Sequence, residues 1–189
     1  GGNCLSCGLT HCSIGLAFLE AFILWAAALP HEPSDPAARY VEDVIVGSDE
    51  AHMVYNFALP PLVLHTFYTG DARVLSAWVK SMTSPSDTAT FFNFLDSHDG
   101  IGLLGAKNIL SPKDIDRICR RAEDHGGFIS YKTAQDGSDV PYELNMTWYS
   151  ALNKKQDGES LRIQIKRFIA SRAIALVLQG VPGIYLHSL

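Results

Sequence analysis

Phe91 to Gly102 reads FFNFLDSHDGIG, and the fold follows from how this stretch is read. It opens on a short apolar run, Phe91-Phe92-Asn93-Phe94-Leu95, of the length and aromatic content of a buried strand rather than a helix. Four polar residues follow, Asp96, Ser97, His98 and Asp99, and then Gly100. Two carboxylates and an imidazole therefore fall where a buried strand reaches its C-terminal edge, the edge at which parallel α/β barrels place their chemistry. A plain polar turn, with Asp and Gly in ordinary turn roles, accounts for the same residues.

The surroundings of that strand repeat a strand, helix, strand order. Met53 to Phe57 reads as one strand. Pro60-Pro61 opens a helix, because proline is tolerated in the first turn. Gly70-Asp71 interrupts it, and Val74, Leu75, Trp78 and Val79 form a second helical stripe, read as core rather than as a cofactor box. This is the pattern of a βαβ unit in a parallel sheet. Further on, Ser111 and Pro112 have the chemistry of an N-cap and first helical residue, with Ile115, Ile118, Cys119 and Ala122 as the apolar side and Gly126-Gly127 as the stop. Cys119 reads as a small buried residue. The segment from Phe128 to Asn153 reads as a long loop with short extended pieces at Ser130–Thr133 and Leu144–Thr147 and a turn at Asp136-Gly137. Glu159 to Gln179 is the clearest helix, ended by Gly180 and Pro182, and Gly183–Leu186 reads as a last strand. Arg167 and Arg172 admit two readings, a phosphate clamp or helix-surface charges, and the second is the expectation.

Composition narrows the class. A content of 47% hydrophobic and 19% charged residues is that of a globular chain, and a net charge of −5 gives no basic stripe for nucleic acid. Gly100, Gly102 and Gly105 fit no dinucleotide or P-loop spacing. Cys4, Cys7, His11 and Cys12 are zinc-like ligand types, but they crowd together without a second spaced pair, so neither a metal nor another cofactor is expected. Ser13 to Leu29 is apolar except for Glu20; it is marginal as a membrane span and lacks preceding basic residues, so a buried helix and a cytoplasmic protein without a membrane partner are expected.

Taken together, four stretches resemble the α-amylase superfamily of glycoside hydrolases, in the sucrose-phosphorylase-like branch. They are FLDSHDGIG within the opening motif, Glu50–His65 (EAHMVYNFALPPLVLH), Val140–Leu152 (VPYELNMTWYSAL) and Arg167–Leu189 (RFIASRAIALVLQGVPGIYLHSL), in that family's order. The resemblance covers residues 30–189 and leaves 1–29 as a divergent or aberrant stretch. It implies an α/β fold, a partial (β/α)8 TIM barrel comprising the C-terminal half, since a complete barrel needs ~250 residues and at least ~200. A chain of 189 residues would then be a fragment, and barrel edges left unpaired would invite self-association.

The resemblance also implies chemistry. Retaining glucosyl transfer uses a nucleophilic carboxylate and an acid/base carboxyl about 5–5.5 Å apart. A third carboxylate stabilises the oxocarbenium-like transition state; by resemblance this is Asp99, with His98 binding the sugar hydroxyls. Tyr142 and Glu143 match a Tyr-Gln or Tyr-Glu pair that faces the site, and a Tyr packed on the rim beside a solvated Glu is the bland alternative. His31 either lines an acceptor site or is a polar loop residue. The substrates implied are an α-glucoside and phosphate. In the family a fifth strand ends in the acid/base Glu followed by Thr-Asn-Val-Pro-His; Leu29-Pro30-His31 matches its end, which puts Ala26 at the Glu position. No segment matches the strand that carries the nucleophile. The expectation is an α-glucosyl phosphorylase or transferase domain that does not turn over as this chain. The alternative is a degenerate, non-catalytic sugar-binding or interaction protein.

Overall fold

The computed structural model describes residues 52–188, apart from residues 86, 88, 135 and 155–157. The cysteine cluster, the apolar run Ser13–Leu29 and Ala26 lie outside the described residues, as does His31.

Three parallel strands carry the frame, in the order β1 (Met53–Tyr55), β2 (Thr90–Asn93), β6 (Val181–Pro182). β1 and β2 are joined through α1 (Leu59–Thr69) and α2 (Arg73–Ser81), the expected strand, helix, strand order. Pro60 and Pro61 lie in the first turn of α1, and Gly70 closes it in the left-handed conformation with its N–H donating to the Thr66 carbonyl. Leu59 to His65 are buried on every side, because α1 is the helix around which the remaining elements pack. α2 is amphipathic and turns Leu75, Val74, Trp78 and Val79 inward.

Between β2 and β6 the chain makes a long excursion. β3 (Ile101–Gly102) leads through a 3-10 turn, Leu104–Ala106, to α3 (Pro112–Asp124). Ser111 caps α3, its Oγ accepting from the Asp114 N–H and donating to the Asp114 carboxylate, with Pro112 as first residue. Ile118, Cys119 and Ala122 are buried, and burial pushes the Cys119 thiol up to about 11, with the charges of Asp116 and Glu123 adding to the shift.

The segment after α3 corrects the reading of Phe128–Asn153 as a loop. It is an antiparallel hairpin, β4 (Phe128–Thr133) and β5 (Asp139–Asn145), followed by the short helix α4 (Trp148–Leu152) under a Thr147 cap. The hairpin escapes pattern recognition because its faces are mostly open; Leu144 is the buried position on it, and a register irregularity at Ser130/Tyr131 breaks the alternation. β3 pairs with β5, so the second sheet has the order β3-β5-β4.

The last helix, α5, spans Leu161–Val177. The final strand is not Gly183–Leu186 but Val181–Pro182, directly after Gly180; Leu186–Ser188 is a 3-10 turn. Backbone pairing explains the offset: the Gly183 N–H donates to the Asn93 carbonyl at 2.7 Å, which closes the ladder before Ile184. Gly180 makes that turn possible. Its φ is +128°, and a Cβ there would stand 2.5 Å from the Phe91 carbonyl oxygen. Gly180→Ala is expected to lower stability by about 1–3 kcal/mol, because an added methyl group in a packed site forces backbone movement. The urea midpoint of the variant measures it, and an unchanged midpoint would contradict this placement of β6.

One apolar cluster joins both sheets. It includes Leu62 and Val63 of α1, Leu95, Ile101, Ile118, Leu144, Trp148 and Ala175. The strands of the parallel sheet and the residues that follow them turn Val54, Asn56, Asn93 and Leu95 to the buried side, where the Asn56 side-chain amide donates to Asn93 Oδ1 and the Asn93 side-chain amide donates to the Gln179 backbone carbonyl. Tyr55, Phe57, Phe92 and Phe94 alternate with these positions, and their rings contact one another at centroid separations of 5.3 to 6.2 Å. Among the described residues no helix is long and apolar enough to cross a membrane.

Candidate active site

The apolar run that ends β2 places Asp96 at the C-terminal edge of the parallel sheet, and the chain then turns sharply through Ser97, His98 and Asp99 into β3. Ser97 sets the turn by accepting the Asp99 N–H on its hydroxyl at 3.2 Å. His98 Nε2 lies 3.5 Å from Asp99 Oδ1, and both side chains are open to solvent, at 41% and 45% exposure. They form an accessible shelf able to offer an imidazole and a carboxylate to a polyhydroxylated ligand.

β5 brings Tyr142 and Glu143 to the same place. Gly102 pairs with Glu143 and Ile101 with Leu144, while the Leu103 N–H donates to the Tyr142 carbonyl. Gly100 is pressed against this ladder: a Cβ on it would lie 2.5 Å from the Leu144 carbonyl oxygen and 2.7 Å from Glu143 Cγ. Only a glycine lets the loop approach β5 this closely.

Electrostatics register the proximity. The Glu143 carboxyl is pushed above the usual carboxylate range, first by burial and then by the Asp99 charge, with the Gly100 N–H bond opposing the rise. The Tyr142 phenol is also pushed up, by burial first and then by Glu143 and Asp99. The loop and β5 thus gather Asp99, Glu143 and Tyr142 with His98. His31 lies outside the described residues and is not placed.

A titration follows from this cluster. Because the folded chain holds the Glu143 proton more tightly than the unfolded chain, the stability contributed by this group is present at low pH and is lost as pH rises through its folded-state pKa. Asp99→Asn removes one of the two raising causes, so the Glu143 midpoint is expected to fall toward the ordinary range without reaching it, burial remaining. Carbon-13 NMR of the side-chain carboxyl reads this, and a midpoint indifferent to Asp99 would separate the two groups.

The arginines differ from expectation. Arg172 is not a helix-surface charge: it is 7% exposed, and its two terminal nitrogens donate one bond each to the two carboxylate oxygens of Asp96, both at 2.6 Å. Its Cζ stands 4.9 Å over the Phe168 ring. The signal was its helical position, four residues after Phe168 and three before the buried Ala175, on the core side of α5. Arg167 is half-buried rather than free, donating to the Glu159 carboxylate at 2.6 Å and to the Asn153 side chain.

Among curated proteins, a glucosylglycerate phosphorylase of Allomeiothermus silvanus is 51% identical over 143 residues, covering 76% of this chain and 26% of its own length. One of Spirochaeta thermophila is 39% identical over the whole chain, across 32% of its length. A sucrose phosphorylase of Agrobacterium vitis is 33% identical over 157 residues, 77% of this chain and 29% of its own length. The homologues of this chain are glucosylglycerate and sucrose phosphorylases. Phosphorylases of this kind are members of the α-amylase superfamily, which bears out the resemblance read from the motifs. The chain spans about a quarter to a third of the length of these phosphorylase relatives. No protein-family model matches the chain. Among solved structures, a sucrose 6F-phosphate phosphorylase from Thermoanaerobacter thermosaccharolyticum superposes with a TM-score of 0.60 at 24% identity, over 89% of this chain and 33% of that phosphorylase; this likeness speaks for the α/β fold alone.

Proposed function

We propose that this chain is the C-terminal part of a (β/α)8 catalytic barrel of the glucosylglycerate or sucrose phosphorylase kind, and that it contributes the sugar-holding half of a glucosyl site. The observation that carries the reading is the gathering of His98, Asp99, Tyr142 and Glu143 where the loop after β2 meets β5. In this reading Asp99 is the carboxylate that stabilises positive charge developing on the glucosyl ring, and His98 holds its hydroxyls. Tyr142 and Glu143 face the acceptor, and His31 is an acceptor-site candidate from sequence alone. The ligands are an α-glucoside and phosphate. The identity of 51% to a glucosylglycerate phosphorylase favours an acidic acceptor over fructose.

Turnover by this chain is proposed to be negligible. A retaining mechanism needs a nucleophile and an acid/base carboxyl, and Ala26 stands where the family has the second of these. The same alanine supports a second reading, a non-catalytic protein that binds a glucoside. Phosphate release from α-glucose 1-phosphate with sugar and glycerate acceptors tests the first statement, and blank-level release from a folded sample is expected. In an intact glucosylglycerate phosphorylase, the substitution matching Asp99→Asn is expected to lower turnover roughly a thousandfold or more, since losing one member of a catalytic unit removes most of its effect. Parental turnover in that variant would remove Asp99 from the chemistry.

A further inference from the structure

We propose that the buried Asp96–Arg172 pair is a positioning device for the His98–Asp99 segment, fixing the exit of β2 so that imidazole and carboxylate are held side by side. The functional side of this rests on reading those two residues as the sugar-holding end of the site. The segment hangs between two fixed ends. At its start, both carboxylate oxygens of Asp96 are taken by the planar fork of Arg172, a geometry that removes rotation as well as translation. The guanidinium is itself stacked on Phe168 one helical turn earlier. A second tie runs parallel to it, from the Asn93 side chain to the Gln179 carbonyl, so the end of β2 is bound to α5 and its exit at two points. At the other end, Gly100 is pressed against β5, where a Cβ on it would fall 2.5 Å from the Leu144 carbonyl oxygen, and Ile101–Gly102 join the β5 ladder. Only Ser97, His98 and Asp99 lie between, with the last two open to solvent.

Stability alone does not account for a charged pair here. Apolar residues of similar volume at a buried ion-pair site are often as stabilising or more so. The arrangement also leaves the Arg172 Nε–H buried without an acceptor, which an apolar pair would not do. What the pair supplies that apolar residues cannot is direction: a bidentate contact has one geometry.

The test uses the full 189-residue chain labelled with nitrogen-15. The double variant Asp96→Leu/Arg172→Met removes both charges and keeps the bulk, so it is expected to fold. Backbone order parameters of residues 97–100 are expected to fall from about 0.85 to below about 0.6, while those of α3 and the β4–β5 hairpin hold. Arg172→Lys keeps the charge but loses the fork, and it is expected to behave like the double variant. Rigid 97–100 residues in the double variant, or loosening spread evenly through α3 and the hairpin, would overturn the proposal. So would wild-type rigidity in Arg172→Lys. A parallel titration with methyl α-glucoside separates the two layers. Weaker binding in the double variant at an unchanged melting temperature supports positioning for sugar, whereas a wild-type chain that binds no glucoside removes the sugar reading and leaves the order parameters to decide the positioning.

Discussion

Arg172→Met is expected to lower folding stability by about 3–5 kcal/mol, the usual cost of removing one partner of a buried ion pair and leaving the other charge uncompensated. The Asp96 carboxylate is 7% exposed, and Arg172 holds both of its oxygens. With one partner gone, that carboxylate is left buried without its counter-charge and without the two bonds that satisfied its oxygens. Urea denaturation at neutral pH measures the loss. A loss of less than about 1 kcal/mol would be that of an exposed pair and would contradict the burial seen here. Against a total stability of roughly 5–15 kcal/mol for a domain of this class, the single variant stands near the edge of folding.

Trp148→Ala is expected to cost a similar amount, about 3–5 kcal/mol, by a different route. Trp148 is wholly buried at the start of α4, and its indole N–H donates to Ser171 Oγ at 2.9 Å. Ser171 is itself wholly buried and donates onward to the Phe168 carbonyl, so the chain of bonds ends inside α5. Truncation opens a cavity between α4 and α5 and removes the donor to Ser171. Trp148→Phe separates the two contributions: it refills most of the volume and leaves only the lost hydrogen bond, about 0.5–1.5 kcal/mol. Equal losses in both variants would mean that the indole nitrogen, rather than the ring volume, dominates the site.

The parts of this fold legible in the sequence are those that local chemistry fixes. Pro60-Pro61 and Gly70 bound α1, Ser111-Pro112 and Gly126-Gly127 bound α3, and proline and glycine act through their own backbone geometry wherever they stand. The loop after β2 was legible for the same reason, as polar residues directly after an apolar run. The β4–β5 hairpin was not, because its strands are held by pairing with each other and with β3 while most of their side chains remain at least partly exposed; no alternation marks them. Arg172 was misread because a charge in a long helix is normally a solvated one, and its partner Asp96 is 76 residues away. Tyr142 and Glu143 could be singled out by resemblance, but their approach to Asp99 depends on the close fit of Gly100 against β5, a tertiary fact that no window of sequence contains.

The short strand β6 also carries a polarity of its own. Asn93 lies opposite Pro182, and the Gly183 N–H turns toward the Asn93 carbonyl. In a parallel ladder consecutive residues direct their amides to opposite sides, so the position between, Pro182, directs its backbone away from β2. Proline has no hydrogen to offer there. A strand laid along the far side of β6 would meet a carbonyl without its matching donor, which makes that flank a poor template for a second copy of the sheet.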